Sequence, residues 1–486
     1  MQNKKYTKFV TRRLAVQVAI AWNHGFGRLF YNRYGTAINN TIVYYDGKKT
    51  DYFVEENELK QFNDHLDRQL DNPEFVAGMI PEAKEFVEEK YEFIKEMIKD
   101  GEKLQDKELA ELYSRFSYHH SEYYTRMWMA FRICERIVLK IESMLKQKIK
   151  HENKVKDLLR IFTTPLKPND VTNERLDILR IAVKSPGLGK NDVTALLLLQ
   201  KHTEKYTHIP MYDFDHEPYS FEHFENELEN VEDPGKELEK IENSFKERKQ
   251  EFDAALEELK PDSELLNLII MLKKAVILRD HRDMVRQKLN LAIKDFYDLI
   301  GQRIGLDIKE TALLTNEEII KHLTNSNNFS KKEIEKRKKS FFLYQSGDLV
   351  MISSEKSAEN LAKESQLYEI YGAVEESNKI KGITASPGII KGIAKIIHTN
   401  LDFEKINKGD IMVAGMTRQD FVPVMRKASA IITSEGGVTC HAAIIARELG
   451  LPCIVGVENA TQIINDGDLI SVDGETGIVE KLKQKK

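Results

Sequence analysis

Apolar residues recur every three or four positions through residues 112–145, from Phe116 and His120 through Tyr123, Met127 and Cys134 to Leu145. That period puts them on one stripe of a long helix, buried against the rest of the fold. Tyr118, Tyr124, Trp128 and Phe131 flank the stripe and read as packing. A second long helix is predicted from Ser263, as its N-cap, to Gly301. Thr315 followed by Glu318 makes a capping box for a third. The charged stretches near 225–262 and 325–340 predict solvated helices and connectors. One segment breaks the helical pattern. NTIVYYDGKKTDYFVEE, residues 40–56, has two β-prone runs around Asp46-Gly47 and predicts a hairpin.

From residue 383 the pattern changes to Ile/Val runs alternating with Gly and Asp-Gly turns. ITASPGIIKGIAKIIHT predicts two strands around Pro387-Gly388, and DIMVAG a third. FVPVMRKA is a short helix, SAIIT a strand, HAAIIAREL a helix and PCIVG a strand. SVDGETGIVEKL closes the chain as a hairpin turning at Asp473-Gly474. Short strands alternating with helices make an α/β domain. Glycine follows the same divide: residues 1–380 hold 13 of the 25 glycines and the last 106 residues hold 12. GAVEESNKIKGIT, residues 372–384, is polar and reads as a linker. The expected organisation is a mostly helical region over 1–375, that linker, and an α/β domain over 380–483.

Composition narrows the function classes. The 486 residues allow several domains. Lys and Arg number 73 against 78 Asp and Glu, and the signs are interspersed, so no basic footprint argues for nucleic acid. Cys134, Cys440 and Cys453 are too few and too scattered for a disulfide framework or a zinc site, and reduced cytoplasmic thiols are the simplest reading. The N-terminal MQNKKYTKFVTRRLAVQVAIAW has an apolar run too short to span a membrane and no signal-cleavage pattern, so no membrane association is expected.

The candidate chemistry lies in GGVTCHAAIIAREL, residues 436–449. The first amide groups of a helix are unpaired and its dipole is positive there, which favours an anion. Gly436 and Gly437 let the backbone bend sharply and approach a bound phosphate closely, and with Cys440 they form the candidate phosphate loop. Thr439 offers a hydroxyl for capping or for a phosphate oxygen. His441 sits where a nucleophilic imidazole can take a phosphoryl group and have the new charge met by the helix end. A histidine that caps the helix or packs in the core stands beside that reading.

A longer pattern surrounds the loop. It runs from Ala385-Ser386-Pro387-Gly388 through Thr417, Asp420, Pro423 and Met425 to Gly436-Gly437 and Thr439-Cys440-His441-Ala442-Ala443. It continues with Ala446-Arg447-Glu448-Leu449-Gly450, Pro452, Gly456 and Asp473-Gly474. Over residues 380–482 this resembles the phosphohistidine mobile domain of phosphoenolpyruvate synthase and pyruvate phosphate dikinase. The resemblance implies a carrier: the histidine takes a phosphoryl group at one site, and the domain swivels to deliver it at another. His441 would be the carrier and Thr439 the hydroxyl beside it, while Cys440 would be a structural neighbour on the helix. Arg447 is expected in a structural ion pair. The sequence departs from the family at Gln419, where a proline is common. The fold class implied is multidomain, α plus α/β: a large, mostly helical N-terminal region followed by a swivelling β/β/α phosphohistidine domain.

The usual companions of such a domain are not legible. No barrel follows it, and no ATP-grasp domain precedes it. SPGLGKND, residues 185–192, lacks the spacing of a phosphate-binding loop and reads as a plain loop. FYDLIGQRIGL, TALLTNEEIIKHL and KKEIEKRKKSFFLY resemble the helical linker of phosphoenolpyruvate-synthase-like and rifampin-phosphotransferase-like proteins, and the earlier helices resemble their central region. Two constellations there are weighed as acceptor or docking sites. Arg279, Arg282 and Arg286 share a helix face and can clamp a phosphate or carboxylate, with a salt-bridged face involving Asp280 and Asp283 as the plainer alternative. His202 and His208 stand with Asp213, Asp215 and His216 in HTEKYTHIPMYDFDHEPY, where a metal or an acceptor competes with a structured surface loop. No metal site is assigned to this chain.

The leading reading is a phosphotransferase component carrying a phosphoryl group on His441. The donor would be ATP on a separate ATP-grasp kinase subunit, with Mg²⁺ at that partner's nucleotide site, or phosphoenolpyruvate. The acceptor would be pyruvate or another small molecule. Two rivals remain open: a binding or regulatory protein that keeps the domain as an interaction module, and a self-sufficient phosphotransferase whose helical region binds the acceptor.

Overall fold

The computed structural model describes residues 4–11, 14–47, 49–184, 193–325, 330–367, 378–398, 400–418, 421–438 and 440–482. Thr439, Gln419, Asp420, SPGLGKND (185–192) and residues 372–377 of the expected linker lie outside them. The chain forms two compact units, each discontinuous in sequence. One comprises Met1–Arg136, Pro210–Pro218 and Leu278–Ile370; the other comprises Ile137–Ile209, Tyr219–Ile277 and Tyr371–Lys486. One division between the units falls at Ile370/Tyr371, beside the change in sequence character near 372–384, and the C-terminal domain shares its unit with helices from the middle of the chain.

In the first unit the predicted hairpin forms, from Asn40–Tyr45 and Thr50–Glu55. Gly47 turns it at φ +91, and the Asp46 carboxylate accepts from the Lys49 amide at 2.9 Å. It is not isolated. Tyr6–Thr11, Thr50–Glu55, Asn40–Tyr45, Phe341–Ser346 and Leu349–Ser354 make one antiparallel sheet in that order. The run KKEIEKRKKSFFLY is accordingly not all helix: Lys331–Lys339 is helical and Phe341 begins a strand. The aromatic pair Phe341-Phe342 pairs with Tyr45 and Tyr44, a cross-strand contact that outweighs the lysine-rich helical run before it. One sheet face, with Tyr6, Ile42, Phe53 and Phe342, packs under Ala358 and Ala362 of the helix Glu355–Glu364. The other holds an aromatic cluster in which Trp22 lies 6.0 Å from Tyr52 and Phe26 stacks 3.9 Å from Trp128.

The two long helices are Asp106–Lys148 and Ser263–Ile304. The second is capped by Asp262, whose carboxylate accepts from the Leu265 amide at 2.9 Å, rather than by Ser263. Gly301 lies inside the helix. A Cβ there would meet Leu306 O and Thr311 Oγ1 at 2.8 Å, so this glycine serves close packing, not helix termination. The capping box of Thr315 and Glu318 is present as read.

In the second unit the C-terminal domain is a curled sheet. Strands Ile389–Ile397, Ile411–Ala414, Ala430–Thr433 and Cys453–Val455 run parallel as neighbours. Ile383–Ser386 and the hairpin Leu469–Asp473/Ile478–Lys481 add antiparallel strands on either side. These strands are buried on both faces, and the alternation of side chains along each strand separates two cores. Met412, Ala414, Ile431 and Val455 face the helix His441–Leu449, whereas Ile411, Val413, Ile432 and Ile454 face the other way. The first of these cores continues without a break into Val171, Ile178, Leu199, Tyr206 and Phe224 of the neighbouring helices.

Candidate functional site

Thr417 and His441 follow the carboxyl ends of two adjacent parallel strands, Ile411–Ala414 and Ala430–Thr433. That edge of an α/β sheet is where loops converge and ligands bind. The strand Ala430–Thr433 hands over to the loop 434–440, and the helix His441–Leu449 carries the chain back to the next parallel strand. His441 is the first helical residue, behind an extended Cys440 with φ −69 and ψ 165 that makes no side-chain cap. Its ring is half-buried, and Nδ1 hydrogen-bonds Oγ1 of the buried Thr417 at 2.8 Å. Thr417 was legible only as part of the family pattern. Nothing local in AGMTRQD predicts that its hydroxyl meets a ring 24 residues later.

The glycines differ in why they are there. Gly436 has φ +107, and a Cβ on it would meet Cβ and Sγ of Cys440 at 2.8 Å. It is needed for the turn and for the close approach of Cys440. A Cβ on Gly437 would meet nothing within 4 Å, so the loop leaves space on that side. Cys440 donates its amide to Gly437 O at 2.9 Å and closes the loop. Cys453 is fully buried, and burial pushes its thiol well up, with the nearby Cys440 adding to the effect. The helix ends at Gly450, φ +68, with the Leu451 amide reaching Ala446 O at 2.8 Å.

Arg447 holds the loop from behind. Nε donates to Ala443 O at 2.8 Å, Nη2 to Val438 O at 2.5 Å, and Nη1 to Thr163 Oγ1 at 3.2 Å. These bonds run to two carbonyls and a hydroxyl, where the sequence reading expected an ion pair. Glu448 lies beside Arg248, Oε1 to Nη1 at 3.5 Å, and Oε2 accepts from the Thr172 hydroxyl at 3.3 Å. Burial raises the Glu448 carboxyl above its ordinary value, and Arg248 opposes this. Lys273 donates to Ile161 O at 3.0 Å and Thr164 O at 2.8 Å, and burial, with Arg447 adding repulsion, pushes its ammonium down to about 7. The far half of the His441 helix is thus gripped by Thr163, Thr172 and Arg248, none of which the sequence marked.

The other candidates lie elsewhere. His202 is buried between Tyr206 and Phe224, each at 4.8 Å, with Nε2 3.1 Å from Glu174. His208 is buried 3.7 Å from Asp170. Both belong to the second unit, while Asp213, Asp215 and His216 belong to the first, so the pattern in HTEKYTHIPMYDFDHEPY is divided. Among the described residues no group of three or more His, Cys, Asp or Glu is placed to hold a metal ion. Arg279, Arg282 and Arg286 are also in the first unit and all buried, at 8%, 6% and 1% exposure. Arg282 and Arg286 each pair with Asp283, at 3.6 and 3.5 Å, so the salt-bridged alternative is present, on a buried rather than a solvated stretch of the helix.

A histidine at the helix mouth, on the carboxyl edge of a parallel sheet and behind a tight glycine turn, defines a class of α/β domain. Residues 406–477 match the family of the PEP-utilising enzyme, mobile domain. A probable phosphoenolpyruvate synthase of Methanothermobacter thermautotrophicus is 53% identical over 100 residues, which are 21% of this chain and 15% of that protein. One from Archaeoglobus fulgidus is 44% identical over 135 residues, 27% of this chain and 18% of that protein. The phosphoenolpyruvate synthase of Pyrococcus furiosus is 41% identical over 141 residues, 29% and 16% of the two chains. The matched stretch thus spans less than a fifth of each relative. A solved structure of Thermococcus kodakaraensis aconitase X aligns with 98% of its length on 22% of this chain, at 20% identity and a TM-score of 0.18, too slight a likeness to place the fold. Among the described residues no helix is long and apolar enough to cross a membrane.

Proposed function

We propose that this chain is the carrier component of a phosphotransferase, with His441 as the residue that holds the phosphoryl group. The observation that carries the reading is the 2.8 Å contact between His441 Nδ1 and Thr417 Oγ1 at the mouth of the helix. With the Nδ1 proton donated to the threonine oxygen, the lone pair rests on Nε2 and that nitrogen is the nucleophile. Nε2 forms a P–N bond while a P–O bond of the donor breaks and its electron pair leaves on the donor oxygen. The reverse exchange passes the phosphoryl group to an acceptor. The amides at the start of the helix meet the phosphoryl oxygens, and the space beside Gly437 leaves room for them.

The likeness to proteins named phosphoenolpyruvate synthase supports phosphoenolpyruvate chemistry, and we propose ATP or phosphoenolpyruvate as donor and a small molecule such as pyruvate as acceptor. The ATP site, with its Mg²⁺, belongs in this reading to an ATP-grasp partner subunit. Delivery by a swivel of the domain requires the contacts of Arg447 and Glu448 with Thr163, Thr172 and Arg248 to be exchanged.

The test is phosphoryl uptake by the purified chain, offered labelled ATP or phosphoenolpyruvate with Mg²⁺, alone and with an ATP-grasp kinase. The expected product is acid-labile, base-stable phosphate that is absent from His441→Ala. Label that persists in His441→Ala sinks the assignment, and label from ATP without any partner sinks the division of labour.

A further inference from the structure

Arg286 stands on the helix Ser263–Ile304, at 1% exposure. None of Nε, Nη1 and Nη2 has a hydrogen-bond partner among the described residues. Its neighbours are mainly aromatic. The guanidinium carbon lies 4.8 Å from the centre of the Tyr212 ring, and Tyr123 and Tyr124 are close enough to act on its charge. Asp283 Oδ1 is 3.5 Å from Nη2, past ordinary N–H···O distance, and the same carboxylate faces Arg282 at 3.6 Å. Arg282, one turn earlier, is served by protein carbonyls: Nη1 donates to Met127 O at 2.9 Å and Nε to Arg279 O at 3.2 Å. One turn later, Asn290 donates to Met211 O at 3.0 Å while its Oδ1 accepts nothing among the described residues.

A guanidinium offers five N–H donors in a planar fork, and burying it with none of them used is costly. The ring of Tyr212 stabilises the face of the cation and leaves the donor edge unmet. A planar carboxylate fits that edge with two parallel hydrogen bonds. One fork asks for one negative charge, and Asp283 close by repels a second, so a carboxylate suits the place better than a phosphate dianion. We propose that Arg286 anchors a buried site for a small organic carboxylate, whose body packs among Tyr123, Tyr124 and Tyr212. Tyr212 comes from the irregular segment 210–218 rather than from a helix, and local opening of that segment is the route of entry. The site is independent of phosphoryl chemistry at His441.

The test titrates acetate, benzoate and phenylacetate into the full-length chain, with benzamide and inorganic phosphate as controls. At least one carboxylate is expected to raise Tm in proportion to the logarithm of its concentration, and to move the Arg286 Nε–H resonance downfield. Arg286→Met should lose the response, and Arg286→Lys, which keeps the charge without the fork, should bind more weakly. His441→Ala should respond like the parent chain, so failure of the carrier reading and failure of this site are separable. No shift with any of the three acids, or an undiminished shift in Arg286→Met, overturns the proposal. A larger shift with phosphate overturns the carboxylate assignment. Should Arg286→Met not fold, unchanged affinity in both Arg286→Lys and Tyr212→Ala has the same force.

Discussion

The loop before His441 and the cage around Arg286 treat the same side chain in opposite ways. Arg447 spends its guanidinium on Ala443 O, Val438 O and Thr163 Oγ1. Arg286 is more deeply buried and makes no hydrogen bond among the described residues. An arginine whose donors end on the backbone holds a loop in place, whereas one whose donors are idle is what the proposed carboxylate site builds on. Charge and helix position alone do not distinguish the two, since both look like ordinary helix arginines in the sequence.

The largest expected effect is at the loop itself. His441→Ala should abolish phosphoryl uptake while the circular dichroism spectrum stays that of the parent. Residual uptake would make the loop a scaffold like any other. Arg447→Met should follow. It removes the bonds to Ala443, Val438 and Thr163, so we expect uptake to fall by about 10²-fold through misplacement of the loop. Stability should drop by about 1–3 kcal/mol, read from urea unfolding. Thr417→Val keeps the shape and removes the hydroxyl; a fall of about 10-fold in uptake rate with a ring tautomer change in ¹⁵N spectra is expected. An unchanged tautomer would argue that Thr417 only packs.

Arg286→Met sharpens the contrast from the other side. Replacing a buried, unbonded cation by an apolar chain of similar length should leave stability unchanged or raise it, by up to about 4 kcal/mol. A loss comparable to that of Arg447→Met would show that Arg286 has structural partners after all. The smallest effect concerns pH. Lys273 is held down to about 7, against an unfolded value of 10.5, mainly by burial. Between those values the unfolded chain binds the proton and the folded chain does not, so stability should rise as pH goes from about 7 to about 10. Lys273→Met should flatten that rise in denaturant midpoints, and a slope unaltered by the substitution would assign it to other groups.

Much of this was legible in the sequence because it is local. The stripe from Phe116 to Leu145, the short apolar runs in DIMVAG and SAIIT, the turn at Asp46-Gly47 and the capping box at Thr315 are set by residues a few positions apart. Gly436 is legible for the same reason, since a φ of +107 and a Cys440 side chain 2.8 Å from its Cβ position both arise within five residues. The family of residues 406–477 was readable because its pattern is dense along the chain.

The tertiary structure decided the rest. It joined Phe341–Ser346 to a hairpin some three hundred residues earlier, set Thr417 against His441, and split HTEKYTHIPMYDFDHEPY between two units. It also left the fork of Arg286 without a hydrogen bond among the described residues, beside Asp283 at 3.5 Å, while it gave Arg447 three. Those outcomes depend on which faces meet after folding and on what each buried polar group finds there. Periodicity records which side of an element is apolar, but it carries no information about the atom on the opposite side.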